Sequence, residues 1–367
     1  MMISHTSNIF LLFFICTTFS CLSSSFRIPT PYSSIMGPNL DKLPSQDEAI
    51  QLFQQWKKDH GRVYKDLGEM AKKFEIFLSN LKYITESNAK RKSPHDFLLG
   101  LNKFADWSAK EFQETYLHEL DMPKEESSIM KLDDLPCDAP SSLDWRSKGV
   151  VTHVKDQEDC GSCWAFSVVG AIEGINAINT GRLTRLSEQE LLDCDRVSKG
   201  CGGGWADKAL DWVVRNGGIA SEQDYTYTAK QVACKASQIP NNATVDGYYH
   251  VDKSENGLLC AAAQQPISVC LYAHSDDFAN YNYGVYDGTN CPVVSVQVNH
   301  CMLIVGYDSV DGQDYWIVKN SWGSTWGMDG YMWIKRNTGK ERGVCDINEW
   351  AYAPNQISLE QEGSQVL

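Results

Sequence analysis

Eleven of the chain's thirteen cysteines lie after residue 136, and none lies between residues 41 and 120. So lopsided a distribution demands two regions held together by different means. The first must fold by packing alone; the second has the sulfur content of a domain stapled by disulfides in an oxidising compartment. At 367 residues the chain exceeds one ordinary domain, and 43% hydrophobic with 22% charged residues is a globular composition. The formal charge of −14 argues against a nucleic-acid partner, which would want a basic face.

The N-terminus agrees with that compartment. "NIFLLFFICTTFSCLSSS" (8–25) is an apolar run closed by small residues, too short for a membrane span and suited to a signal peptide occupying residues 1–25. No later segment is apolar enough to cross a bilayer, so no membrane span is expected in the mature form. Asn242 in "NAT" is a glycan acceptor in a stretch of loop composition. Residues 121–140, "DMPKEESSIMKLDDLPCDAP", are polar and Pro-bearing, as suits a cleavable linker.

In residues 69–88, Phe74, Phe77, Leu78, Leu81 and Ile84 recur at helical steps and form one apolar stripe. Past residue 136 the pattern changes twice. Residues 163–178 and "SEQELLDC" (187–194) read as helices, the latter with a capping box of Ser187 and Glu190. Then "PISVCLYA" (266–273), "HCMLIVGYD" (300–308), "DYWIVKNSW" (314–322) and "GYMWIKR" (330–336) read as strands. A helical half followed by a β half predicts two lobes with a cleft between them.

Cys160 and Cys163 in "QEDCGSCWAF" admit three readings. A redox pair would sit in a compact βαβ pattern, which is absent here. A zinc site would need a second Cys/His pair at short spacing, and none is evident, so no metal or cofactor is expected. The third reading makes Cys163 a nucleophile in the first turn of a helix, where unpaired N–H groups lower a thiol pKa. A base and an orienting group are then required. His300 heads an apolar strand and Asn320 lies in "KNSWG", at separations close to the roughly 130–150 residues of a known Cys–His–Asn pattern.

These motifs together resemble a papain-like cysteine endopeptidase zymogen over residues 46 to 353. "CGSCWAFS", "VNHCMLIVGY" and "KNSWGSTWG" carry the resemblance in the second region. In the first, Glu69, Lys73, Phe77, Asn80, Ile84 and Asn88, with Lys73 where the family usually has Arg, then Gly100, Asn102, Phe104 and Asp106, resemble the family's two prodomain motifs. "PCDAPSSLDW" adds a likeness to a legume-seed vacuolar subgroup, some of whose members have lost the nucleophile. The resemblance implies an α+β fold: a helical left lobe and a β-barrel-like right lobe at 137–354, after an inhibitory helical propeptide with linker at 26–136. Residues 355–367 are expected to be a disordered acidic tail.

The resemblance also implies roles. Cys163 would be the nucleophile, His300 its imidazolium partner and general acid, and Asn320 the group orienting the ring. Gln157 would donate to the oxyanion and Trp322 would shield the His–Asn bond. Cys160–Cys201, Cys194–Cys234 and Cys291–Cys345 would be disulfides. Gly203, Gly204, Trp205, Ala206, Cys270, Val298, Cys301 and Trp350, with Trp322, would bind substrate, giving a shallow apolar pocket that favours Val, Pro or Leu. Expected partners are polypeptide substrates and the chain's own propeptide as inhibitor; the expected state is a monomer in a vacuole-like or extracellular compartment. Asp106 is a candidate for an acid-sensitive grip between propeptide and cleft.

Three departures from the family pattern stand out. Glu158-Asp159 follow Gln157 where a Gly is common, Cys301 follows His300, and Cys137, Cys260, Cys270 and Cys301 are unassigned. Cys270 and Cys301 are expected as two separate buried thiols, a bridge being the alternative. The competing function is a storage or binding protein on a protease scaffold; loss of Cys163, His300 or Asn320 would favour it, and all three are present.

Overall fold

The computed structural model describes residues 42–118, 137–292 and 298–356. The signal-peptide expectation and most of the linker therefore lie outside the described residues.

The prosegment holds three helices: α1 (Gln46–Asp59), α2 (Leu67–Asn88) and, after the short strand β1 (Leu98–Leu99), α3 (Ala109–Tyr116). α1 and α3 each start at a reciprocal capping box, Ser45 with Glu48 and Ser108 with Glu111. The stripe of α2 buries Phe77, Leu81 and Ile84 against Phe53 and Trp56 of α1. The interspersed polar motif does the joining. Asn80 donates to the carbonyls of Ala105 and Trp107, Asn88 exchanges hydrogen bonds with Leu99, and Lys73 reaches the Asp106 carbonyl.

After β2 (Leu143–Asp144), the helical lobe is built on α4 (Cys163–Thr180), α5 (Glu188–Cys194) and α6 (Ala206–Asn216). α4 is apolar nearly all round and is buried accordingly. The expected capping box on α5 is only half formed. Ser187 Oγ accepts from the Glu190 N–H, but the Glu190 carboxylate turns away to the Ala220 N–H, an orphan donor in the neighbouring turn.

The second lobe follows with β3 (Gly247–His250), α7 (Glu255–Gln264), β4 (Ile267–Leu271), α8 (Ser275–Asn280), β5 (Tyr281–Tyr283), β6 (Val285–Tyr286), β7 (His300–Val310), β8 (Gln313–Lys319), β9 (Tyr331–Lys335) and β10 (Trp350–Asn355). The main sheet runs β3-β10-β4-β7-β8-β9-β6, with β2 on β7. β7, at its centre, alternates its side chains between the two lobes: Met302 and Ile304 enter the sheet lobe's core, while Cys301 joins the helical lobe's. β10 continues through Asn355, and Asn179 donates to Gln356, so residues 355 and 356 belong to the fold; the rest of the expected tail lies outside the described residues.

The prosegment docks as an added strand and a strap. β1 pairs antiparallel with β5, and Asn102 donates to the Ala279 carbonyl. Tyr83 of α2 donates to Asp277, which also takes bonds from Tyr286 and Asn290. From there Tyr116, Leu117 and His118 carry the chain across the cleft.

Candidate active site

Gln157 and Trp322 come from different lobes and are zipped together by backbone bonds. The Gln157 N–H donates to Ser321 O at 2.8 Å, and the Gly323 N–H to Lys155 O at 3.0 Å. A buried ionic knot holds this loop from below. Lys155 Nζ lies 2.6 Å from Glu188 and 2.9 Å from Glu173, and it also donates to Leu186 O. Burial works against the Lys155 charge, but the two glutamates outweigh it and raise its pKa. Lys319 beside it donates to Thr152, and burial lowers its pKa to about 8. Sequence reading missed this knot. Its signal was Glu173, a lone acid inside the apolar run of α4.

The cysteine pair divides as expected. Cys160 is bridged to Cys201 with Cα atoms 4.7 Å apart, and the Gly161 N–H donates to Cys201 O, so the loop before α4 is fastened twice. Cys163, the first residue of α4, is the free cysteine among the described residues. Cys194–Cys234 and Cys291–Cys345 are also bridged. The Gln157 side chain is fixed at three points: Nε2 donates to Cys160 O, while Oε1 accepts from Ser321 and Trp322.

His300 Nε2 and Asn320 Oδ1 are 2.9 Å apart, and the Trp322 indole stacks on the imidazole with ring centres at 4.6 Å. Asn320 Oδ1 accepts, so Nε2 carries the proton; Nδ1 has no hydrogen-bond partner among the described residues. Burial pushes the His300 pKa down to about 4, opposed by the Asn320 bond. Burial also pushes the Cys163 thiol up to about 11, opposed by the N–H groups of Cys301, Trp164 and Cys163. Both shifts favour the uncharged forms. Under the prosegment the thiol and imidazole are a neutral pair.

The expected pocket residues come together on the other side of Cys163. Ala206, Cys270, Val298, Cys301 and Trp350 share one buried cluster with Cys163, and Trp205 packs on Trp350 at 5.0 Å. Gly203 holds φ +101°, and a Cβ on Gly204 would lie 2.6 Å from the Trp164 ring, so neither position accommodates an ordinary side chain. One expectation is overturned: Cys270 and Cys301 are bridged, not separate thiols. They are direct partners on β4 and β7, with Cα atoms 4.0 Å apart, where two thiols would sit in contact anyway. Cys137 and Cys260 form a fifth bridge.

Asp106 is likewise not at the cleft. It lies inside the prosegment, 3.6 Å from Arg62 and accepting from Tyr64 at 2.9 Å. Among the described prosegment residues, His118 is the one that enters. Its N–H donates to Asn299 O, and its ring lies against Gly161 and bonds the Cys201 carbonyl. Nothing in its sequence surroundings marked it, since its role depends on where the strap crosses.

Comparison with known proteins agrees with this geometry. Residues 139–355 match the papain family cysteine protease domain and residues 53–112 the cathepsin propeptide inhibitor domain. The chain is 47% identical over 355 residues to the P34 probable thiol protease of Glycine max, covering 92% of each, and 43% identical to cysteine protease XCP2 of Arabidopsis thaliana, covering 97% and 99%. Among solved structures, a recombinant stem bromelain precursor superposes with a TM-score of 0.77 at 36% identity, covering 84% of this chain and 99% of that one. The chain belongs to the papain family of cysteine proteases and carries that family's inhibitory propeptide.

Proposed function

We propose that Cys163, His300, Asn320 and Gln157 carry out peptide-bond hydrolysis once the prosegment leaves. With the cleft open to water, the neutral pair becomes thiolate and imidazolium. Cys163 Sγ attacks the scissile carbonyl, and the oxyanion takes hydrogen bonds from Gln157 Nε2 and the Cys163 N–H, a donor of this kind being worth about 3 kcal/mol. His300 gives its Nδ1 proton to the departing amine, leaving a thioester. A water deprotonated by His300 then hydrolyses the thioester and regenerates the thiol. Asn320 holds the ring with Nδ1 toward the sulfur, and Trp322 keeps water from their bond.

The observation that carries this reading is the His300–Asn320 bond with Nδ1 left unpartnered, in a site whose one free thiol begins a helix. The disulfide-walled cluster of Cys270, Cys301, Val298, Trp205 and Trp350 receives a compact apolar side chain two residues before the scissile bond. Residues 1–25 direct the chain to the secretory pathway, 26–136 leave on maturation, and Asn242, exposed with its Oδ1 accepting from Ser221, bears a glycan. The destination is a vacuole or the extracellular space.

The test is fluorophore release from dipeptidyl substrates with and without a thiol-alkylating epoxide. Cys163→Ala and His300→Ala are each expected to fold and to lose activity by a factor on the order of 10³ or more, because the pair acts as one unit. Retention of more than a few per cent of activity in either variant would falsify the assignment.

A further inference from the structure

His300 stacks on one part of the Trp322 indole. Because His300 is read as the group that protonates the departing amine, substrate residues after the scissile bond must run past this indole; the inference rests on that reading. In the zymogen the same indole is roofed by Phe104, Phe112 and Tyr116 of the prosegment, with ring centres at 5.8, 5.1 and 5.9 Å. Maturation removes all three rings. A large aromatic surface then opens on the leaving-group side.

Its border is acidic. Asp156 is bridged to Trp322 through the backbone, and Glu158 and Asp159 follow the oxyanion donor Gln157, both exposed. These are the residues that set this loop apart from the pattern the chain otherwise follows. The zymogen also shows what such a border holds. Lys103 Nζ of the prosegment lies 2.6 Å from Asp156 Oδ2 and 5.0 Å from the centre of the Phe104 ring, so a lysine ammonium is already seated between a carboxylate and an aromatic face. Tyr116 meanwhile donates to Asp159 Oδ1 at 3.3 Å. Both partners depart with the prosegment, leaving those carboxylates without them.

We propose that Trp322, Asp156, Glu158 and Asp159 form a leaving-group subsite that selects a lysine or arginine in the first two residues after the scissile bond. The aliphatic stem of such a side chain packs on the indole while its cation takes the position next to Asp156 that Lys103 vacates, with Glu158 and Asp159 following in the same loop. An acidic side chain in that place meets like charges. Discrimination therefore falls on the acylation step, since the leaving peptide is gone before the thioester is hydrolysed.

The experiment uses the mature enzyme and paired quenched-fluorescence peptides, identical before the scissile bond and bearing Lys or Glu at the second residue after it. At low ionic strength kcat/KM is expected to favour Lys by about tenfold or more, and the preference should shrink as salt is added. Asp156→Asn/Glu158→Gln/Asp159→Asn, which removes the carboxylate that holds Lys103 together with its two acidic neighbours, should bring the ratio toward one. Hydrolysis of a dipeptidyl aminocoumarin, whose leaving group has no residues to reach the border, should stay unchanged and reports that the variant is folded; Asp159→Asn alone serves as the milder version. A wild-type ratio near one at low salt, or a ratio that the triple variant leaves intact, overturns the subsite. Absence of any aminocoumarin hydrolysis by the wild type would instead overturn the protease assignment beneath it.

Discussion

Glu158 sits in left-handed backbone at φ 51°, one residue after Gln157. A side chain there brings Cβ too close to the following carbonyl, at a cost of roughly 1–2 kcal/mol that glycine avoids, partly offset by glycine's greater freedom in the unfolded chain. Glu158→Gly is therefore expected to stabilise the protein by about 1 kcal/mol, read as a higher denaturant midpoint at unchanged slope; a lower midpoint would contradict it. The sequence marked Glu158 as a departure but could not reveal its φ. Cys163, His300 and Asn320 were legible because the chemistry requires those residue types at a restricted spacing. His118 was not legible, since any residue placed there by the strap could occupy the cleft.

Elements were easiest to read where one period ruled. The stripe of α2 and the alternation of β7 and β8 emerged near their observed limits, whereas the half-formed cap on α5 depended on Ala220, thirty residues away in sequence. The β4–β7 bridge lay beyond pattern as well. The resemblance puts Cys270 and Cys301 at neighbouring positions on facing strands, but choosing a bridge over two thiols needs the register that makes them direct partners. Thiol counting on the denatured mature form tests it: one thiol per chain is expected before reduction and eleven after, while three before reduction would restore the separate thiols. The knot under the Gln157 loop yields a second test at this scale. Lys155→Ala leaves Glu188 buried without its cation and Glu173 with Lys319 alone, so a loss of about 3–5 kcal/mol is expected by chemical denaturation. A loss below about 1 kcal/mol would mean the lysine is dispensable.

For the whole molecule, a helical half before a β half foretold two lobes, and two prodomain motifs foretold a cover; how the cover is sensitive to acid had to come from the contacts. In the Cys163→Ala zymogen, where no thiol hands the ring its proton, His300 has its pKa held at about 4 in the closed form against an ordinary 6.5, so opening takes up a proton. The closed form's advantage from this group is complete above pH 6.5 and is lost as pH falls through about 4. His118, whose pKa is lowered by burial in the cleft and only partly restored by the Cys201 carbonyl, acts in the same direction. Asp106 works the other way. Burial outweighs Arg62 and Tyr64 and raises its pKa, so its protonation favours the folded prosegment and cannot drive release. Hydrogen exchange on the Cys163→Ala zymogen, which cannot process itself, isolates this step. Protection of residues 98–118 should fall between pH 6.5 and 4, His118→Gln should move the loss to lower pH, and Asp106→Asn should retain the acid dependence. Protection that persists unchanged to pH 4, or an Asp106→Asn zymogen that no longer responds to acid, would refute the histidine account.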